Sequence, residues 1–142
     1  MKREILFKGK RIDNKEWVEG NLVMVCNGET LKRYPCIVIS YNHDTFDWLE
    51  VDPKSVSQFT GKTIPLKHPM FDDKLKLFEN DIFTFGNSKT KYKVVFEDYE
   101  WVGVSNEGDD WGAYKCRLSQ IREEMHIIGN LTDDPKLMNG AD

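Results

Sequence analysis

At 142 residues the chain has room for one domain, or for two small subdomains sharing a core. It is 39% apolar and 31% charged with four tryptophans, too hydrophobic for wholesale disorder. A net charge of −4 disfavours a general polyanion binder, because nucleic-acid affinity rests on cations that neutralise phosphates.

The opening run Met1-Lys2-Arg3-Glu4-Ile5-Leu6-Phe7-Lys8 is charged at both ends of a short apolar stretch. A signal peptide needs roughly 7 to 15 apolar residues in a row, and a membrane span about 20. Neither pattern is met, so a cytoplasmic location with no membrane partner is expected. Cys26, Cys36 and Cys116 form no CxxC pair, and an odd count in a cytosolic chain points to reduced thiols.

In chain order, Ile5-Leu6-Phe7 reads as a short strand, and Gly9 to Lys15, with its Asp13-Asn14 pair, turns the chain. Glu16 to Cys26 is rich in aromatic and β-branched residues and reads as strand, with Gly20 at a bulge or a close approach. Asn27-Gly28 predicts a type I′ hairpin turn, and Tyr34 to Tyr41 the return strand. Asn42-His43-Asp44 is loop and Trp48 to Val51 a further strand. Asp52 then caps a helical turn that Pro53 opens. Gln58 to Gly61 closes an N-terminal β-hairpin unit over 1–61, and 62–77, with Pro65, Pro69 and Asp72-Asp73, reads as a connecting loop.

Beyond it the pattern sharpens. Leu75 and Leu77 alternate with lysines, Asp81 to Phe85 is a strand, and Tyr92, Val94 and Phe96 alternate with Lys91, Lys93 and Glu97, which places those three on a buried face. Trp101 to Val104 answers as the partner strand across a turn near Asp98-Tyr99. Arg117 to Glu124 is a helical turn or a loop, Met125 to Gly129 a last strand, and Asp134 to Met138 a capped helical turn within 131–142. The fold class is therefore mainly β. A small barrel-like, SH3-like C-terminal half over 78–130 packs with the N-terminal hairpin unit, and helical turns are few and short.

Charge is unevenly distributed. Lys2, Arg3, Lys8, Lys10, Arg11 and Lys15 crowd the first fifteen positions against only Glu4 and Asp13. Glu97, Asp98, Glu100, Glu107, Asp109 and Asp110 crowd 97–110, which holds no Lys or Arg. Complementary patches of this kind suit head-to-tail association, with Trp111 as an aromatic anchor, so a homo-oligomer weakened by salt is expected. Glu79 and Asp81 could form a cation site, but turn chemistry alone accounts for Glu79-Asn80-Asp81, and these residues are read as turn-structural.

Catalytic groups do not stand out. His43, His68, His126 and the cysteines match no zinc spacing, so no metal and no cofactor is expected. There is no GxSxG motif, and Gly61-Lys62-Thr63 lacks the upstream glycine, strand and following helix of a phosphate loop. The chain reads as a non-enzyme with no catalytic residues. Nucleic-acid binding is the less favoured alternative. Tyr92, Phe96, Tyr99, Trp101, Trp111 and Tyr114 could stack on bases, yet the tip beside Tyr99 and Trp101 is anionic, so the basic N-terminal stretch is the better candidate.

Several segments stand together in order: Arg3-Glu4-Ile5 with Phe7-Lys8-Gly9-Lys10, Glu16-Trp17-Val18-Glu19-Gly20-Asn21-Leu22, Val51-Asp52-Pro53, and Gln58-Phe59-Thr60-Gly61. They are followed by Phe78-Glu79-Asn80-Asp81-Ile82, Val94-Val95-Phe96, and Ile127-Ile128-Gly129-Asn130 ahead of Asp134-Pro135-Lys136-Leu137. The series resembles the YopX family of phage and prophage proteins over nearly the whole chain. The resemblance implies a mainly β fold with a small C-terminal barrel, a bacteriophage origin and self-association in the cytoplasm of a bacterial host. It implies no activity and supplies no catalytic or ligand residues. The chain departs from the family at Pro65 to Lys74, longer and more apolar-basic than the usual Asp/Asn/Gly-rich turn. A host or phage protein as partner is equally compatible with this reading.

Overall fold

The computed structural model describes residues 4–40, 42–65, 74–106 and 115–138. Lys2, Arg3, Asp109, Asp110 and Trp111 of the expected interface therefore lie outside the described residues, as do 66–73 of the expected connecting loop. The chain divides into two compact units, Met1–Gly61 and Lys62–Asp142. Both are built from antiparallel strands, so the protein is mainly β. Among the described residues no helix is long and apolar enough to cross a membrane.

The first unit holds β1 (Phe7–Lys10), β2 (Trp17–Cys26), β3 (Arg33–Ser40), β4 (Phe46–Glu50) and the start of β5 (Ser57–Pro65). They lie in the order β4-β3-β2-β1-β5. The first strand begins later than the apolar run Ile5 to Phe7 suggested, and it continues through Gly9. Gly9 is a point of close approach rather than part of a turn: a Cβ there would sit 2.8 Å from Cγ2 of the fully buried Val51. Gly20 stays in regular register opposite Phe7, and its Cβ would meet the Val38 carbonyl oxygen at 2.4 Å, so it is a close approach and not a bulge. Asp52 caps a single 3-10 turn at Pro53–Ser55 by accepting the Lys54 amide at 3.0 Å.

The β2–β3 hairpin is present, but its turn is not the two-residue type I′ form. The ladder ends at Cys26 opposite Arg33, leaving a wider loop. Asn27 Oδ1 accepts the amides of Glu29 and Thr30 at 2.8 and 3.2 Å, and the left-handed position falls on Leu31, at φ 58°. The asparagine side chain satisfies the amides of the longer loop, which removes the need for positive φ at Gly28.

The second unit contains β6 (Lys74–Phe78), β7 (Asp81–Phe85), β8 (Tyr92–Glu97), β9 (Glu100–Val104), β10 (Lys115–Arg117) and β11 (Met125–Asn130). The expected loop over 62–77 is strand at both ends, since β5 runs on to Pro65 and β6 starts at Lys74 beside it. Ile64 and Leu77 are buried there and enter the core of this unit. The remaining strands form an open sheet in the order β10-β9-β8-β7-β11, so the barrel-like half is not a closed barrel. Arg117 ends β10, and Leu118–Gln120 is a 3-10 turn.

Phe83 stacks on Tyr92 at 5.6 Å between centroids, surrounded by Leu77, Val94, Leu118, Ile121 and Met125. A Cβ on Gly103 would lie 2.7 Å from the Phe83 ring, so glycine admits the aromatic. Phe96 corrects the alternation reading: it shares the face of Tyr92 and Val94 but lies beyond the covered core, is 52% exposed, and packs edge-on against Trp101 at 5.0 Å.

Candidate interaction surface

The described part of the basic N-terminal cluster does not form one patch. Lys8 and Lys10, two apart on β1, share a face of the first sheet and oppose Glu19 and Trp17 of β2. Their ammonium groups stand 4.6 and 5.9 Å from the Trp17 ring centroid. Arg11 is committed elsewhere. Its guanidinium grips both Asp13 oxygens at 2.9 and 2.6 Å and holds that carboxyl below the usual carboxylate range. Lys15 sits exposed in the β1–β2 connection at φ 62°.

The acidic hairpin is altered more deeply by the fold. Glu97 is ion-paired to Lys115, and Glu100 to Arg117 at 3.1 Å. Both cations come from β10, which pairs with β9, so a segment devoid of positive charge in sequence receives two in space. The Glu97 hydrogen bond raises the Lys115 pKa, helped by the charges of Glu97 and Asp98. These groups line a groove of about 560 Å³ together with Gln120 and Glu123. Asp98 is the exposed carboxylate at its tip.

Glu79-Asn80-Asp81 joins β6 to β7. Asp81 is 4% exposed, and its Oδ2 accepts the Phe78 amide at 2.8 Å. Asn80, at φ 69°, donates its amide to the Val94 carbonyl and accepts the Leu131 amide on its own. These contacts fix backbone.

One surface was not anticipated from the sequence. β4 ends the first sheet, and on it Phe46 and Trp48 are 54% and 57% exposed. They occupy one face with Glu50. On that face a cavity of about 410 Å³ is lined by Val25, Asn27, Tyr34, Cys36, Trp48 and Glu50. Burial pushes the Cys36 thiol pKa up, and the nearby Glu50 charge pushes it the same way. A smaller cleft of about 170 Å³ lies between Trp48, Leu49, Glu50 and the Arg11-Ile12-Asp13 turn. The sequence carried half of the signal, because Phe46 is in phase with Trp48 at period two. That the strand closes a sheet depends on its partners and is invisible locally. No family model, curated protein or solved structure matches the chain.

Proposed function

We propose that the chain is a non-enzymatic accessory protein of a phage or prophage, of the YopX kind, acting in the host cytoplasm as a homo-oligomeric binding and assembly module. One observation carries this reading: two large aromatic side chains, Phe46 and Trp48, stand more than half exposed side by side on an edge strand. Exposed aromatics at such a position are what assembly surfaces supply, because they bury much area at little rotamer cost. The family resemblance points the same way. Sedimentation at micromolar concentration tests it. The wild-type chain is expected above monomer mass at low salt, with association weakening as salt is raised, and a salt-independent monomer rules it out.

A second reading, a nucleic-acid-binding regulator, draws on Lys8 and Lys10 standing over Trp17 on one sheet face. Its charge setting is poor, with Glu19 opposite Lys8 and a net charge of −4. Gel mobility shift at low salt on single- and double-stranded DNA and RNA separates the two, and no shift is expected.

A further inference from the structure

An edge strand presents unpaired N–H and C=O groups and templates pairing with another chain unless something blunts it. The sheets end in β4, β6, β10 and β11. β11 is interrupted by a register shift between Ile127 and Gly129, β6 carries Lys74 and Lys76, and β10 carries Lys115 and Arg117, cations that repel a cationic edge but not an aromatic one. β4 has neither device.

The ladder shows which of its backbone groups face outward. The Val51 amide donates to Pro35 of β3 at 3.1 Å, and hydrogen-bonded pairs alternate along an antiparallel ladder. Asp47 and Leu49 therefore aim their amides at β3, while Phe46, Trp48 and Glu50 aim theirs outward. The Ile12 amide reaches the Glu50 carbonyl from that outer side at 3.1 Å and occupies that end. Among the described residues the open stretch is Phe46 to Trp48. Pairing of this stretch with itself in a second copy would centre on Asp47 and set it against its own copy. From 42 to 51 the chain has Asp44, Asp47 and Glu50 and no Lys or Arg, so such a β4–β4 contact is repelled.

β10 is the complementary edge. The two-residue turn at Asp98-Tyr99 closes on Glu97 opposite Glu100 as a hydrogen-bonded pair. Alternation then directs Gly103 toward its partner Cys116, so Lys115 and Arg117 aim their backbone groups outward. Their side chains stay 56% and 59% exposed although Glu97 pairs with the Lys115 ammonium and Glu100 with Arg117 Nε. One edge thus presents two aromatics and the other two cations, each on residues whose backbone, among the described residues, is available for a new ladder.

We infer that β4 of one copy pairs antiparallel with β10 of a second copy, setting Phe46 opposite Arg117 and Trp48 opposite Lys115. The chain already uses this chemistry internally, where Lys10 lies opposite Trp17 in the β1–β2 ladder with its ammonium over the ring. Asp47 falls opposite Cys116 and meets no like charge, and Glu50, on the face of Trp48, is diagonal to Lys115. The two surfaces differ, so each copy offers one of each and the contact repeats head to tail. This rests on the self-association proposed above.

Complementation tests it by sedimentation, with circular dichroism as a check of folding. Phe46→Lys with Trp48→Lys makes β4 cationic, and Lys115→Glu with Arg117→Glu makes β10 anionic. Each double variant alone is expected to weaken association by about tenfold or more. An equimolar mixture restores it, since an alternating assembly sets cationic β4 against anionic β10 at one junction and native β4 against native β10 at the next. Lys115→Gln with Arg117→Gln serves as a milder variant should the anionic one misfold, and it too lowers association. Wild-type-like oligomers from both double variants overturn the edge contact while leaving self-association standing. A wild-type chain that stays monomeric at every concentration removes both.

Discussion

Asp81 is a carboxylate at 4% exposure, and such a group is tolerated only when it is hydrogen-bonded. Its bond to the Phe78 amide ties the end of β6 to the start of β7. Asp81→Ala strands that buried amide and is expected to cost about 1–3 kcal/mol, with Asp81→Asn costing less because it retains an acceptor; urea denaturation measures both. Glu79-Asn80-Asp81 was legible as turn chemistry. The depth of Asp81 was not, because the backbone that holds the neighbouring Asn80 in place comes from Val94 and Leu131, remote in sequence. The thiols differ for a related reason. None of the three cysteines is in a disulfide, with Cys26 exposed and Cys36 buried. Because the folded Cys36 pKa is raised, the fold favours its neutral thiol. That preference is intact below the ordinary cysteine pKa and is lost as pH rises through the folded value. Iodoacetamide at neutral pH is therefore expected to alkylate Cys26 well before Cys36, as peptide mass mapping over time would record.

At the scale of elements, the two hairpin turns exchange the roles their residues suggested. Asn27-Gly28 carries the strongest turn signature, yet Gly28 has no need of positive φ and a Cβ there meets nothing within 4 Å. Asp98 and Tyr99, an unpromising pair, both adopt the left-handed conformation, at φ 52° and 66°. Non-glycine residues pay a steric cost there, and the ladder of β8 and β9 sustains it. Tyr99 is 96% exposed and forfeits little packing on truncation, so Tyr99→Gly is expected to stabilise by about 0.5–1 kcal/mol. Gly28→Ala should stay within about 0.5 kcal/mol of neutral. Thermal melts of the two variants check the contrast, and the opposite ranking would refute this account of the turns. The strands themselves were largely readable, because period-two alternation marks a half-buried face. Alternation failed where it outran the core, at Phe96.

At the scale of the whole molecule, local patterns lose their hold. The mainly β class follows from composition and alternation, but whether a sheet closes depends on its terminal strands, and here β10 and β11 remain apart in the strand order. Surface charge shows the same dependence. Glu97 and Glu100 stand in a segment without cations, and only the β9–β10 pairing brings Lys115 and Arg117 beside them. The candidate surface was hidden for that reason too: Phe46 and Trp48 are ordinary strand residues until the topology places their strand at the end of the sheet.

An unguarded hem of this kind also governs how the protein behaves in the tube. A strand that lacks a lysine, a proline or a bulge along Phe46 to Trp48 will recruit imperfect partners once copies are crowded or warmed, and such mispaired material scatters light. Phe46→Lys is expected to lengthen the lag before turbidity appears in a concentrated, gently heated solution, relative to the same change at exposed Leu31 in the β2–β3 loop. Equal lag times for the two variants would place the colloidal weak point elsewhere.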